Sequence, residues 1–336
     1  NIVVEFINCY CTMNFVKNGV FSLAKYRGIT STQLKRVVQE LPPTIPEVVR
    51  IEMGDIEPSH TAECIRLFPL ERFPNLSELD LLKVQLNEEA FDLLNLEEIP
   101  ELAKLSVQSV KGTSISKLNL ASVKKLRSLF VSGQIGYDGF RALRLDDVAP
   151  HLEELYLCYN VRDEEELHEF RLGDKPELKL LYLPGNNIGN TGASQFPFGS
   201  TPNLETLCLS RNRIQSDGAG LLQLESVPKL KQLYFCDNWL GPEGAKQLRL
   251  DAVPLLQVLD LSGNGLGNDG ASSLRLHNSK SLSKIYLSGN GIGEPGARSL
   301  ARQDLPSLTE LIISSSSSFT GDVDAGFDII KAPKES

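Results

Sequence analysis

The chain has 336 residues, of which 41% are hydrophobic and 23% charged, and its formal net charge at pH 7 is −9. The acidic balance disfavours a nucleic acid partner, since proteins that follow a phosphate backbone carry basic surfaces. No run of about 18 apolar residues is present, so we predict no membrane span. The cysteines lack the spacing of a disulfide framework, which favours reduced thiols and a cytoplasmic location.

Residues 1–45 carry no repeat and are predicted to form an N-terminal cap. Within them, residues about 31–41 have the apolar spacing of a capped amphipathic helix, which Pro42 and Pro43 stop. We expect the apolar face of this helix to cover the first strand of the array that follows, because that strand would otherwise be an open sheet edge.

Residues 46–315 repeat one apolar frame, Leu-x-x-Leu-x-Leu, in which other apolar residues replace some leucines. The first apolar position falls at residues 48, 76, 102, 126, 152, 178, 204, 230, 256, 282 and 308, and the last seven steps are all 26 residues long. The alternation at the end of the frame is typical of a strand with one buried face. The sequence therefore predicts about eleven strand–loop–helix units, which must stack to bury enough apolar surface.

Two further features recur after the strand. Three residues beyond the last apolar position comes an asparagine, for which we predict a buried structural ladder that bonds the loop backbone. Its members are Asn160, Asn186, Asn212, Asn238, Asn264 and Asn290. A Gly-Ala pair follows in five units, at residues 192, 218, 244, 270 and 296, and is expected to open a short helix against the neighbouring unit.

Residues 261–271, Leu-Ser-Gly-Asn-Gly-Leu-Gly-Asn-Asp-Gly-Ala, resemble the ribonuclease-inhibitor-like class of the leucine-rich-repeat superfamily, as do residues 183–193 and 287–297. The resemblance implies an α/β solenoid, a curved horseshoe with a parallel sheet on its concave face and short helices or loops on its convex face. The step of 26 residues is shorter than is usual for that class, so we expect shorter helices. The array spans residues 46–315, and residues 316–336 are predicted to be a polar tail.

The frame also predicts which strand side chains line the concave face, namely those between its second and third apolar positions. Five of these are aromatic, and exposed aromatic side chains commonly anchor protein interfaces. With neighbouring residues in the same register, the predicted partner-binding surface comprises Phe130, Tyr156, Tyr159, Tyr182, Cys208, Arg211, Tyr234, Asp237, Trp239 and Tyr286. The alternative is that the rings only pack on one another as a cross-strand ladder.

These patterns favour a protein–protein interaction scaffold or sensor, monomeric on its own, that binds a protein partner on the concave face. Two alternatives stay open: a GTPase-activating regulator similar to the Ran activators, and the recognition end of a NOD-like receptor or a ubiquitin-ligase substrate receptor. No catalytic residues, metal site or cofactor is predicted, because the four histidines show neither metal-ligand spacing nor a nucleophile–base arrangement.

Overall fold

The computed structural model describes residues 16–109, 112–158, 172–196 and 198–314. Two compact units divide between residues 160 and 161. Each is a stack of strand–loop–helix repeats, and all eleven predicted frames carry a strand. The predicted tail at 316–336 lies outside the described residues.

The first unit is built on a sheet that starts earlier than the sequence frame. Its strands are β1 (Val16–Lys17), β2 (Val20–Ser22), β3 (Arg50–Glu52), β4 (Glu78–Leu86), β5 (Lys104–Ser109), β6 (Ser128–Gly133) and β7 (Glu154–Cys158). Strands β1 and β2 form an antiparallel hairpin, and β2 to β7 run parallel. Asn18 and Gly19 make the hairpin turn, both with positive φ, as a two-residue turn of this kind requires.

The helix of the N-terminal segment lies elsewhere than expected. Helix α1 (Ser31–Glu40) is capped by Thr30, which exchanges hydrogen bonds with Gln33. It contacts α2 (Thr61–Leu67), the helix of the following unit, and so belongs to the helix layer. Strand β2 pairs with the first predicted strand instead, with Phe21 opposite Ile51. The expectation that the helix covers that strand was wrong, because the Asn-Gly turn supplies a hairpin that does so.

The second unit repeats with high regularity. Its strands are β8 (Leu180–Tyr182), β9 (Thr206–Cys208), β10 (Gln232–Tyr234), β11 (Val258–Asp260), β12 (Lys284–Tyr286) and β13 (Glu310–Ile312). All are parallel, and each residue pairs with the one 26 positions along, as in Leu233 with Leu259. The central leucine or isoleucine of each strand is buried, so the residues on either side of it face away from the core.

Short helices form the layer behind both sheets. They are α3 (Glu88–Leu93), α4 (Gly136–Ala142), α5 (Gly189–Ala193), α6 (Ser216–Leu221), α7 (Gly241–Gln247), α8 (Gly267–Ser273) and α9 (Glu294–Ala301), with single 3-10 turns in several units. In the second unit they are 5 to 8 residues long, as the short repeat predicts. No helix in the described part of the chain is both long and apolar enough to cross a bilayer.

The Gly-Ala pairs lie inside these helices and do not begin them. Asn190 Oδ1, from the preceding unit, accepts hydrogen bonds from Gln215 N at 2.8 Å and Gly218 N at 3.1 Å. A Cβ on Gly218 would lie 2.6 Å from that oxygen and 2.8 Å from Ile214 Cγ2. The glycine is therefore required by close helix packing, and the amides at the helix start are satisfied by the neighbouring unit.

Replacing Gly218 with alanine is expected to lower the free energy of unfolding by about 1–3 kcal/mol, because a methyl group there forces Asn190 or the helix to move. Chemical denaturation of both proteins measures the difference. Gly199→Ala is the matched control, since a Cβ there meets nothing within 4 Å. Equal stability of the wild type and the Gly218 variant would show that the helices have room to separate.

A column of asparagines joins the loops of the second unit. Asn186, Asn212, Asn238, Asn264 and Asn290 are each at most 2% exposed. Asn264 Nδ2 donates to Phe235 O at 2.8 Å and to Leu261 O at 2.9 Å. Its Oδ1 accepts from Asn238 N at 3.0 Å. Asn212, Asn238, Asn264 and Asn290 each satisfy backbone groups of their own repeat and of the preceding one. Asn160 falls outside the described residues.

Candidate binding surface

The open face of the second unit, defined as the side of strands β8–β13 that faces away from the core, carries tyrosines on alternate strands. Tyr182, Tyr234 and Tyr286 are half-buried, and the residues opposite them in register are Cys208, Asp260 and Ile312. Large rings therefore alternate with smaller side chains along the face. The predicted row thus exists in this unit, with each tyrosine two strands from the next.

Cys208 does not present an accessible side chain. It is only 2% exposed, and its Sγ lies 3.6 Å from Ser210 Oγ. Burial raises the pKa of its thiol, which therefore stays neutral at physiological pH. Contrary to the expectation of an accessible contact residue, the small Cys208 side chain is covered in this structure by its larger neighbours, Tyr182 and Tyr234.

Asp260 occupies the same kind of position between Tyr234 and Tyr286. It is 6% exposed, and its Oδ1 accepts a hydrogen bond from Ser262 N at 2.9 Å. Burial raises the pKa of this carboxyl above its ordinary value, and the nearby charge of Asp237 acts in the same direction. A carboxylate with so little solvent around it is an unusual residue to find on the outward side of a strand.

The stability of the protein should depend on pH through Asp260. Because its pKa is raised on folding, the folded state holds the proton to higher pH, so stability falls as pH rises from about 3.9 through the raised pKa. Asp260→Asn is expected to unfold at a higher temperature than the wild type at pH 7, with the difference vanishing below about pH 4.

The asparagine variant keeps an oxygen that can accept from Ser262 N. Asp80→Asn is the control for the turn itself, since Asp80 Oδ1 accepts from Leu82 N at 3.0 Å in the same way. A melting-temperature difference for Asp260→Asn that is independent of pH would contradict the titration and leave only a packing effect.

Charged pairs flank the tyrosines of the open face. Lys231 Nζ lies 2.8 Å from Glu205 Oε2, and Lys284 Nζ lies 3.3 Å from Glu310 Oε2. Both pairs join neighbouring repeats and are partly exposed, so each contributes little to stability. Their acids and bases are already matched within the chain.

The loops that follow β9 and β10 hold four side chains in left-handed backbone conformations. Arg211, Arg213, Asp237 and Trp239, here called the rim patch, have φ between 56° and 61°. At the positions equivalent to Asp237 and Trp239, the next repeat has Gly263 and Gly265, also with positive φ. A side chain other than glycine is strained there by about 1–2 kcal/mol. Two adjacent repeats thus keep four strained side chains at positions where the following repeat has glycine.

Trp239 is the most exposed large apolar side chain among the described residues, and the chain has no other tryptophan. Its exposed fraction is 60%. Arg211 Nε lies 3.2 Å from Asp237 Oδ2, and a Cβ on Gly263 would lie 2.0 Å from Asp237 Oδ1. Because Gly263 has no side chain, the Asp237 carboxylate can occupy the space beside it. The rim patch combines an exposed indole with a fixed ion pair, the composition of a binding hot spot.

The first unit contributes a separate aromatic pair. The rings of Phe130 and Tyr156 stack with centroids 5.6 Å apart and planes 28° apart. Burial raises the pKa of Tyr156, and Glu154 adds to this. Beside the rings, Arg127 Nη1 lies 2.6 Å from Glu153 Oε1. Here the alternative interpretation, rings that pack as a cross-strand ladder, describes the observed contact. Tyr159 lies outside the described residues.

Sequence reasoning missed two residues of this surface. Asp260 stands in the outward position of its strand, but a selection of aromatic residues does not include it. Arg213 was not noticed, although its equivalents Gly265 and Gly291 signal a left-handed position. Within the described ranges, no three or more His, Cys, Asp or Glu side chains are grouped as metal ligands would be.

Comparisons with known proteins bear on the family. A family model described as Leucine Rich repeat matches residues 254–274 and 278–301. Among solved structures, the chain is similar to the Rad7–Elc1 complex of yeast, with 18% identity over 86% of this chain and 79% of that one, and a TM-score of 0.49. It is also similar to the leucine-rich-repeat-containing protein LegL7 of Legionella pneumophila, with 14% identity over 89% and 91% and a TM-score of 0.46. An internalin of Listeria monocytogenes shows 12% identity over 93% and 86%, with a TM-score of 0.47. No curated protein matches the sequence.

Proposed function

We propose that this chain, which is a leucine-rich-repeat protein with an α/β solenoid fold, acts as a protein-interaction scaffold that holds a protein partner on the second unit. The binding surface consists of Tyr182, Tyr234 and Tyr286 on the open face together with the rim patch. Its role is recognition and not catalysis.

One observation carries the proposal. Trp239 stands 60% exposed in a left-handed conformation, where the next two units have Gly265 and Gly291. Exposing an indole and straining its backbone both work against folding, so a role outside the folded chain accounts for the residue best. Tryptophan and arginine are the residue types that most often dominate the binding energy of protein interfaces.

The half-exposed tyrosines extend the surface along the strands. Tyrosine supplies apolar contact area with a polar tip and few rotatable bonds, so it loses little entropy on binding. The charged pairs Lys231–Glu205 and Lys284–Glu310 lie beside the rings, as the polar rim of an interface does.

An affinity-capture experiment with the full chain tests the proposal. Immobilised wild type, Trp239→Ala and Tyr286→Ala are incubated with extract from the native cells, and proteins recovered after crosslinking are quantified. We expect at least one partner to be recovered by the wild type and to be depleted about 10-fold or more by both variants.

Leu255→Ala is the matched control, because Leu255 is a large apolar side chain that is 45% exposed in the turn before β11. Its partner recovery should equal that of the wild type. Recovery that is the same for all four proteins, with folding verified by circular dichroism, would exclude the proposed surface.

A further inference from the structure

We infer that the partner is held by one of its own basic side chains, an arginine or a lysine, seated between Tyr234 and Tyr286 with its charge against the Asp260 carboxylate. This inference rests on the proposed function and adds the chemistry of the partner. Tyr234, Asp260 and Tyr286, which lie side by side on the open face, are here called the Asp260 seat.

Charge pairing around the open face leaves Asp260 apart from the other acids. Glu205, Glu310 and Asp237 each have a lysine or arginine within 4.0 Å. Asp260 makes no ion pair with any described residue, and its one hydrogen bond to the backbone is from Ser262 N at 2.9 Å. A carboxylate that is 6% exposed and has no ion-pair partner is stabilised by a cation that reaches it.

The walls of the seat are suited to a cation. Tyr234 and Tyr286 lie on the strands on either side of Asp260, so their backbones are separated by two strand spacings, about 9–10 Å. A group held midway between them is about 5 Å from each of the two strands, so side chains as long as tyrosine can reach it from both sides, and a cation is attracted to an aromatic ring at such range. Both rings are half-exposed and Asp260 between them is 6% exposed, so the inferred binding mode requires the rings to turn aside and admit the partner's side chain.

Among the residues that the structure describes, no lysine or arginine forms an ion pair with Asp260, although the charge of Lys284 acts on both Tyr234 and Tyr286. Lys284, on the neighbouring strand, is held by Glu310 at 3.3 Å. The Cys236 thiol has a pKa raised to about 12 by burial and therefore stays neutral. The negative charge of Asp237 helps to raise the pKa of Asp260, and a cation beside these two acids would be attracted to both.

Asp80 in the first unit makes the same turn as Asp260 but lacks flanking tyrosines. Its Oδ1 accepts the same backbone bond, from Leu82 N at 3.0 Å. Its neighbours in register are Glu52 and Ser106, so no aromatic ring stands on either side. The two carboxylates share the turn and differ in their walls, which makes Asp80 a matched control.

The first test uses a pair of small probes, N-acetyl-arginine amide and N-acetyl-citrulline amide, which have nearly the same shape and differ in charge. Amide resonances of the full chain are followed during titration of each probe. We expect the arginine probe to shift resonances of β10–β12, the citrulline probe to act at least about 10-fold more weakly, and Asp260→Asn to abolish the response. Asp80→Asn should respond as the wild type does. Equal responses to both probes would overturn the inference.

The second test separates failure of the inference from failure of the proposed function. Peptides from a randomised yeast-displayed library are selected on the full chain, then measured on Trp239→Ala, Asp260→Asn and Asp80→Asn. Enrichment of arginine or lysine, with binding weakened about 10-fold or more by Asp260→Asn and unchanged by Asp80→Asn, supports the inference. Peptides that need Trp239 but ignore Asp260 overturn the inference and leave the function standing. Peptides indifferent to both residues overturn the two together.

Discussion

Replacing Asn264 with alanine is expected to lower the free energy of unfolding by about 3–5 kcal/mol, the largest effect that we anticipate for a single substitution. The amide of Asn264 satisfies Phe235 O and Leu261 O, and its Oδ1 satisfies Asn238 N. These groups are buried, so water cannot replace the lost partner, and each unsatisfied group contributes about 1–3 kcal/mol. Urea or guanidinium unfolding, followed by circular dichroism, measures the change.

Asn278→Ala is the control for the loss of an asparagine as such. Asn278 is exposed, and its Nδ2 donates to Asp251 O at 3.1 Å. We expect a change within about 0.5–1 kcal/mol, as for most surface positions. If Asn264→Ala were as mild as Asn278→Ala, the column of asparagines would be dispensable, and the loops of the second unit would have to be held by their backbone bonds alone.

Replacing Trp239 with glycine is expected to change stability and binding in opposite directions. Glycine removes about 1–2 kcal/mol of strain at φ 61° and costs about 0.5–1 kcal/mol of chain entropy on folding, so the free energy of unfolding should rise by up to about 1.5 kcal/mol. Binding of a partner that uses the indole should fall by about 30-fold or more. Thermal unfolding gives the first quantity, and titration calorimetry with a captured partner or selected peptide gives the second.

Arg213→Gly separates these two effects. This substitution relieves the same strain, at φ 57°, one repeat earlier. The free energy of unfolding should rise by a similar amount while the indole remains. A Trp239→Gly variant less stable than the wild type would show that the indole packs on its own chain. A Trp239→Gly variant that binds the partner undiminished would remove the observation on which the proposed function rests.

The strands of the fold could be predicted from the sequence because their determinants are local. A buried apolar side chain at every second position, repeated after 26 residues, has one solution that buries all of them, and Leu233, Leu259 and Ile285 stand in register as that solution requires. The hairpin β1–β2 has an equally local signal, which lies outside the repeat frame. Asn18 and Gly19 between Val16 and Val20 are the usual two-residue turn of a hairpin.

The burial of outward side chains could not be predicted in the same way. Cys208 and Tyr234 occupy equivalent positions in their repeats, yet the thiol is covered while the ring is half-exposed. What decides this is the size of the side chains on the two adjacent strands, 26 residues away in either direction. Likewise, the repeat that contains Trp239 gives no sign of its strained backbone. The sign comes from comparison with Gly265 and Gly291, which occupy the equivalent position in the next two repeats.

The asparagine column has a direction, which bears on how the second unit is made. Asn212 donates backwards to Leu183 O, Asn238 to Leu209 O and Asn290 to Leu261 O. In the other direction, the backbone N–H groups of Asn212, Asn238 and Asn264 each donate to Oδ1 of the next asparagine, so each of these repeats leaves the ribosome with a loop N–H that the next repeat satisfies. Synthesis from the N-terminus therefore adds the partner of each loop after the loop itself, and every new repeat completes the one before it. Shortening the unit from its N-terminal side leaves the remaining loops satisfied, whereas shortening it from the C-terminal side exposes one.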